Sequence, residues 1–200
     1  MTSALFDGAR YWLGVVYLAS VPGAVLFWFA IHPFAAFWRR AGAVAAYAAG
    51  FSVMAAAAAV AVVWRRPLMG ADLGPNVATA ALGIVLIVVS AVVRHRWRRQ
   101  LTMRILFGLP EIAPSRFPPT LLTEGIYATV RHPRYAEFSL GAVGWAFLSN
   151  YAGIYAAAAL TLASIGALIP FEERELAARF GAPYVEYRRR VPAVIPRLRR

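Results

Sequence analysis

Long apolar runs separated by short arginine-bearing segments set the pattern of this chain. The run from Tyr11 to Ile31 is almost wholly apolar and reaches the ~20 residues needed to cross ~30 Å of hydrocarbon. It is too long for a signal peptide, and only Arg10 charges its amino end. It therefore reads as a first membrane helix, ended or kinked at His32-Pro33, because proline disfavours helix at the preceding residue. A basic loop at Arg39-Arg40 leads to a second run, Ala41–Trp64. Its five consecutive alanines, Ala55–Ala59, let helix backbones approach closely in lipid and predict a place in the bundle interior. Ala46 and Gly50 form a small-xxx-small pair, read as packing within the monomer in preference to a dimer face. Arg65-Arg66-Pro67 closes this helix, and Gly70–Asn76 reads as a loop. Val77–Val93 is the third run, rich in Ile, Val and Leu, and more lipid-exposed than the second. Two further runs, Pro133–Asn150 and Ala152–Ile169, are joined by a tight uncharged turn at Asn150-Tyr151. Pro133 suits a first helical turn, and Pro170 is expected to end the last run. Phe171–Phe180 is charged but helical in pattern, with a stop at Gly181 and Pro183.

Between the third and fourth runs lies Arg94-His95-Arg96-Trp97-Arg98-Arg99. This is a positive-inside anchor with an interfacial tryptophan, or, more sharply, a site for an anionic lipid headgroup. Trp97, Leu101 and Ile105 recur every four residues and suggest a short interfacial helix to Phe107. The four prolines of Pro110–Pro119 suggest a loop over the membrane face.

Composition supports the membrane reading. Of 200 residues, 60% are hydrophobic and 15% charged, against roughly 45–50% apolar in soluble domains. The fold expected is an all-α polytopic membrane protein in one domain, 1–200. It has about five transmembrane helices, a helical hairpin near the carboxyl terminus and a cytoplasmic carboxyl-terminal cap. The net charge of +12 comes from arginine alone, since no lysine is present. It clusters at span ends and does not indicate a nucleic-acid partner. With no cysteine there is no disulfide, thiolate metal site or cysteine nucleophile. With five spans, Arg10, Arg65 and Arg66 fall on one side and the other eighteen arginines on the other. That bias puts the carboxyl terminus in the cytoplasm and the amino terminus outside, in a membrane of the bacterial inner kind.

Two polar clusters then share the cytoplasmic face: Gly125–Phe138, and Phe171–Pro196. Arg131-His132-Pro133 opens a helix, where unpaired N–H groups and partial positive charge favour anions. Arg131 adds a planar binder of carboxylate or phosphate, although a plain basic cap would look the same. Glu172-Glu173 runs against the local charge trend. These acids suit pairing with Arg131 or Arg134, or hydrogen bonds from ribose hydroxyls or an ammonium group. Glu175 and Arg179 are spaced i, i+4, as in a solvated helix pair. Tyr184 and Tyr187 suit the wall of an adenine pocket, an acceptor channel or an interfacial aromatic belt. Glu137 is an acid at membrane depth and so a functional candidate, with a salt bridge to Arg134 or Arg131 as the rival reading. No histidine has metal-ligand spacing, and no glycine-rich phosphate loop is present.

The order Gly125-x-Tyr127-x-x-x-Arg131-His132-Pro133-x-Tyr135, a helical hairpin, Glu172-Glu173-x-x-Leu176, Phe180-Gly181-x-x-Tyr184-x-x-Tyr187 and Arg190-Val191-Pro192 resembles the isoprenylcysteine carboxyl methyltransferase family. Phospholipid N-methyltransferases share this carboxyl-terminal signature. The resemblance implies an integral membrane enzyme whose cofactor is S-adenosyl-L-methionine, bound within 121–200. It assigns Tyr127, Arg131, His132, Pro133, Tyr135, Glu172, Glu173, Tyr184 and Tyr187 to the cofactor. The methyl acceptor is then a lipophilic or membrane-borne molecule entering from the lipid. Glu137 stands where the family often has glycine, and Ala193 where many relatives carry arginine. Glu137 and Arg190 are therefore the candidates to act on the acceptor. A membrane NAD(P)H-dependent reductase of the sterol type, or a non-catalytic protein of the same fold, are the rival readings.

Overall fold

The structure is a computed structural model and describes residues 2–100 and 120–197. The interfacial helix expected to Phe107 and the loop expected at Pro110–Pro119 lie outside the described residues. The described chain is all-α. Its helices are α1 (Thr2–Ile31), α2 (Ala35–Ala41), α3 (Ala43–Val63), α4 (Arg65–Met69), α5 (Val77–Arg98), α6 (Pro133–Ser149), α7 (Ala152–Phe180) and α8 (Ala182–Arg190), with a 3-10 turn at Gly125–Ala128.

Among the described residues, four helices are long and apolar enough to cross a membrane: α1 over Leu5–Ile31, α3, α5 and α7. The fifth expected span, α6, has 17 residues. At 1.5 Å per residue it measures about 25 Å, short of the ~30 Å hydrocarbon core. It is also the helix at the centre of the bundle, packed against α1, α5 and α7. Protein surrounds it, so its ends need not reach the lipid headgroups. Two glycines bring α5 and α6 together: a Cβ on Gly83 would stand 2.8 Å from the Gly144 carbonyl oxygen.

Other helices also depart from expectation. Despite its alanines, α3 is not interior; of the long helices it packs against α1 alone. Ala46, Gly50 and Ala61 form its buried stripe, and a Cβ on Gly50 would strike the Phe27 ring. The pair Ala46 and Gly50 thus serves packing within the chain, while the other faces, with Val44, Phe51, Val60 and Val63, are exposed, as on a helix that faces lipid. The second departure is Pro170, which does not end the last run. α7 continues through it to Phe180. Proline removes one N–H from the helix ladder, a loss that helices at membrane depth tolerate. The segment beyond it is held by ion pairs described below. The arginine-rich stretch to Arg98 likewise prolongs α5 past the expected Val93.

One end of the bundle gathers Arg10, the Gly70–Asn76 loop and the α6–α7 turn. Arg10 is 2% exposed and donates to Asp72 at 2.5 Å and to the Asn150 carbonyl at 3.4 Å. Its guanidinium lies 5.3 Å from the Tyr151 ring centre. Asn150 takes the left-handed conformation, φ 55°, which lets the chain reverse in two residues. Its side chain donates to the Gly74 carbonyl at 2.8 Å and accepts from the Tyr155 hydroxyl at 2.9 Å. The opposite end carries both polar clusters.

Candidate functional site

The site is built where the amino end of α6, the charged end of α7 and α8 converge. Pro133 stands in the first turn of α6, its fixed φ matching the helix. The two residues before it are docked on the tail: the Arg131 N–H donates to the Pro192 carbonyl and the His132 N–H to the Ala193 carbonyl, both at 2.8 Å. These helix-entry donors are therefore satisfied by the chain itself.

Side chains extend the same contact. The Arg131 guanidinium donates through Nε at 3.0 Å, and through a terminal nitrogen, to Glu173 Oε1. Its other terminal nitrogen donates to the carbonyls of Arg188, at 3.0 Å, and Val191. Every guanidinium nitrogen is thus engaged, and Arg131 ties α6, α7 and α8 into one unit. His132 Nε2 lies 3.2 Å from the same Glu173 oxygen, and its Nδ1 lies 3.7 Å from Glu172 Oε2. Arg188 approaches the second Glu173 oxygen at 3.8 Å. The His132 ring stacks on Tyr135, centroids 5.5 Å apart. Tyr135 in turn meets Trp28 of α1 edge to face at 5.4 Å. Arg134 lies over the Trp28 ring at 5.0 Å.

Two buried polar atoms here are left over. Glu172 Oε2 has no hydrogen-bond partner, and the Tyr184 hydroxyl, though close to Arg131, meets none in proper geometry. Tyr184 is 1% exposed. Buried polar groups in native structures are nearly always paired, so orphans that sit together ask for a ligand. Tyr187 is also buried; its hydroxyl donates to the Tyr127 carbonyl at 2.6 Å. Burial pushes the Tyr127 phenol up, and the Glu172 charge adds to it. Burial likewise raises Tyr184, reinforced by Glu173, and pushes Tyr187 up to about 12 against the pull of Arg131. All three phenols stay neutral near pH 7 and are not phenolate bases; the Tyr187 hydroxyl is shown donating.

The two residues singled out for the acceptor lie apart from this cluster. Glu137 is 4% exposed and faces α5, not α7. Its Oε1 accepts from Arg94 Nε at 2.9 Å, Arg94 Nη2 at 2.5 Å and the Ser90 hydroxyl at 3.3 Å. The partner is thus neither Arg134 nor Arg131. Arg190 has a side chain 69% exposed and pairs with Glu186 at 3.3 Å. Glu175 pairs with Arg179, as its spacing suggests, and lies 3.8 Å from Arg39.

Sequence reasoning did not single out Arg188 or Ser90, and it read Arg94 only as part of the basic anchor or headgroup stretch. Arg188 is hidden in a run of three arginines. Ser90 carried a usable signal: it is a lone hydroxyl in an apolar run, four residues before Arg94, so both fall on one helix face.

Acids and a histidine locked together at one end of the helical bundle, with polar atoms that lack hydrogen-bond partners beside them, make this a candidate binding site. The comparison with known proteins says which. The sequence model of the phospholipid methyltransferase family matches residues 78–182, and the chain belongs to that family. Methanethiol S-methyltransferase 2 of Bradyrhizobium diazoefficiens is 42% identical over 94 residues, covering 47% of this chain and 34% of that protein. Protein-S-isoprenylcysteine O-methyltransferase B of Arabidopsis thaliana is 40% identical over 77 residues, 38% of this chain and 39% of that protein. The cobalt-zinc-cadmium resistance protein CzcN of Cupriavidus metallidurans is 40% identical over 80 residues, 40% of this chain and 37% of that protein. The matched stretch is therefore little more than a third of the length of these curated relatives. No solved structure matches. The resemblance to the isoprenylcysteine carboxyl methyltransferases is borne out by the relatives of that name.

Proposed function

We propose that the chain is an integral-membrane methyltransferase that uses S-adenosyl-L-methionine and methylates a lipophilic acceptor. The observation that carries this reading is a pair of buried polar atoms without a hydrogen-bond partner: Glu172 Oε2, 3.7 Å from the His132 ring, and the Tyr184 hydroxyl. A carboxylate, a histidine and a phenol donor fit a ligand bearing an ammonium group, ribose hydroxyls and a carboxylate. When bound, S-adenosyl-L-methionine supplies a methyl group on a positively charged sulfonium. Arg131 and Glu173 make the rigid frame. Their mutual hydrogen bonds position His132, and Glu172 is left as the acid that takes no hydrogen bond from the protein. Tyr127 and Tyr187 close the side of the frame formed by the 3-10 turn and α8. Buried aromatic walls exclude water and strengthen electrostatic contacts. The acceptor class follows from the relatives by likeness: one is named for methanethiol, another for protein-S-isoprenylcysteine. A carboxylate acceptor needs no base; a thiol needs to lose its proton.

The grouping of Arg10, Asp72 and Asn150 at one end, with the acids at the other, supports an odd number of crossings. With the arginine bias it supports a cytoplasmic site, an external amino terminus and the inner membrane of a bacterium.

Calorimetry on the purified full chain tests the class. Binding of S-adenosyl-L-methionine and not NADPH is expected, followed by transfer of labelled methyl groups into lipid extract. Binding of NADPH with no response to S-adenosyl-L-methionine overturns the proposal.

A further inference from the structure

Ala91, Arg94, His95, Arg98 and Arg99 are spaced i, i+3, i+4, i+7 and i+8 along α5. That spacing puts them on one helix face. They line a cleft of about 280 Å³. The small Ala91 leaves room between longer neighbours, and all five residues are exposed. The cleft sits where the apolar part of α5 gives way to charge, the kind of span end that meets lipid headgroups. On the same turn Trp97 is buried on the opposite face, which fixes the rotation of the helix.

Charge in the cleft is also pre-arranged. Arg94 gives Nε and Nη2 to the buried Glu137. Its other terminal nitrogen, and the side chains of His95, Arg98 and Arg99, have no acidic partner among the described residues. A solvated anchor would need only net charge near the interface. Here one guanidinium is held in place by an internal carboxylate, and the others surround a concavity of headgroup size. Planar guanidinium groups recognise phosphate through paired hydrogen bonds.

We propose that this cleft binds the phosphate of an anionic membrane phospholipid, with Arg94 held ready by Glu137. The site is distinct from the Glu172–Glu173 cluster, which lies on the α7 side of α6. It does not depend on methyl transfer.

Native mass spectrometry of the full chain in detergent, titrated with phosphatidylglycerol and with phosphatidylcholine, tests it. The wild type is expected to retain phosphatidylglycerol in preference to phosphatidylcholine. The double substitution Arg98→Gln, Arg99→Gln removes two exposed cations without baring Glu137. It should weaken phosphatidylglycerol retention by about ten- to thirtyfold. The double substitution Arg65→Gln, Arg66→Gln removes the same charge at the other end of the bundle and should leave retention unchanged. Equal losses in the two doubles overturn the site, since the lipid then answers to net charge alone. Equal retention of the two lipids by the wild type does so too. Millimolar inorganic phosphate that displaces the lipid completely assigns the cleft to free phosphate and overturns the lipid. Failure of displacement, with loss only in the Arg98/Arg99 double, is the expected result.

Discussion

Arg10 and Asp72 lie 62 positions apart and meet at 2.5 Å, tying the start of α1 to the loop between α4 and α5. Asn150 joins them from the α6–α7 turn. Three points of the chain that a five-crossing path must bring to one face are therefore held by one buried guanidinium. Reporter fusions placed within Gly70–Asn76 are expected to report the exterior, and fusions after Arg200 the cytoplasm. The reverse pattern rules out this orientation and, with it, a cytoplasmic cofactor site.

The same contact carries a pH signature. Burial pushes the Asp72 carboxyl up, but hydrogen bonds from Arg10, the Gly74 N–H and Tyr151 hold it below its ordinary value of 3.8. A carboxyl depressed in the folded state binds its proton less readily there than in the unfolded chain. Its contribution to stability is then present above the unfolded value and lost as pH falls through the folded one. Thermal unfolding in detergent should show the wild type losing part of its advantage over Asp72→Asn below about pH 4. Above pH 5 the wild type should be the more stable by a constant margin. A margin that does not shrink in acid means that Asp72 contributes shape and not charge.

Arg94 and Glu137 form an unequal pair. The Glu137 side chain is 6% exposed and that of Arg94 55%. Arg94→Gln leaves a carboxylate buried against α5 with only Ser90 beside it, whereas Glu137→Gln leaves an arginine free to turn to water. Uncovering a buried charge typically costs about 3–5 kcal/mol, and the partial exposure of this pair puts the loss at the low end. Arg94→Gln should therefore lower the melting temperature clearly more than Glu137→Gln. If Glu137 also touches the acceptor, Glu137→Gln will lower turnover while leaving S-adenosyl-L-methionine affinity unchanged. Equal melting temperatures for the two variants contradict the asymmetry.

Hydropathy made the long helices legible because ~20 apolar residues have few other uses. The tight turn at Asn150-Tyr151, the loop at Gly70–Asn76 and the helix stop at Gly181 followed from local residue chemistry. Three features needed tertiary information. Pro170 reads locally as a stop, but the pairing of Glu173 with Arg131 keeps the next turns helical. Alanine in α3 permits close packing without requiring it. The partner of Glu137 was hidden because Arg94 stands in an arginine run where every member looks alike. At the candidate site, the grouping of Arg131, His132 and Glu173 was legible as opposite charges on two ends of one hairpin. Which acid would be left unpaired was not, since adjacent glutamates carry the same local signal.

That last distinction gives the sharpest test of the site. Glu173 is saturated by Arg131 and His132, with Arg188 nearby, while Glu172 keeps a buried oxygen with no partner. Glu173→Gln removes charge-assisted hydrogen bonds on which three helices converge. It should lower stability and S-adenosyl-L-methionine affinity together, each by about 1.5–3 kcal/mol. Glu172→Gln removes a charge that takes no hydrogen bond from the protein and whose nearest basic group is the His132 ring, 3.7 Å away. Its melting temperature should stay at or above that of the wild type, because a buried acceptor without a donor is a cost in the free protein. Its affinity for S-adenosyl-L-methionine should still fall, by roughly ten- to hundredfold. His132→Ala should resemble Glu173→Ala in affinity, since the ring lies between the two acids. Melting curves and calorimetry on the same preparations separate the roles. A Glu172→Gln variant that loses stability but binds as the wild type does would make Glu172 a structural group and move the ligand elsewhere.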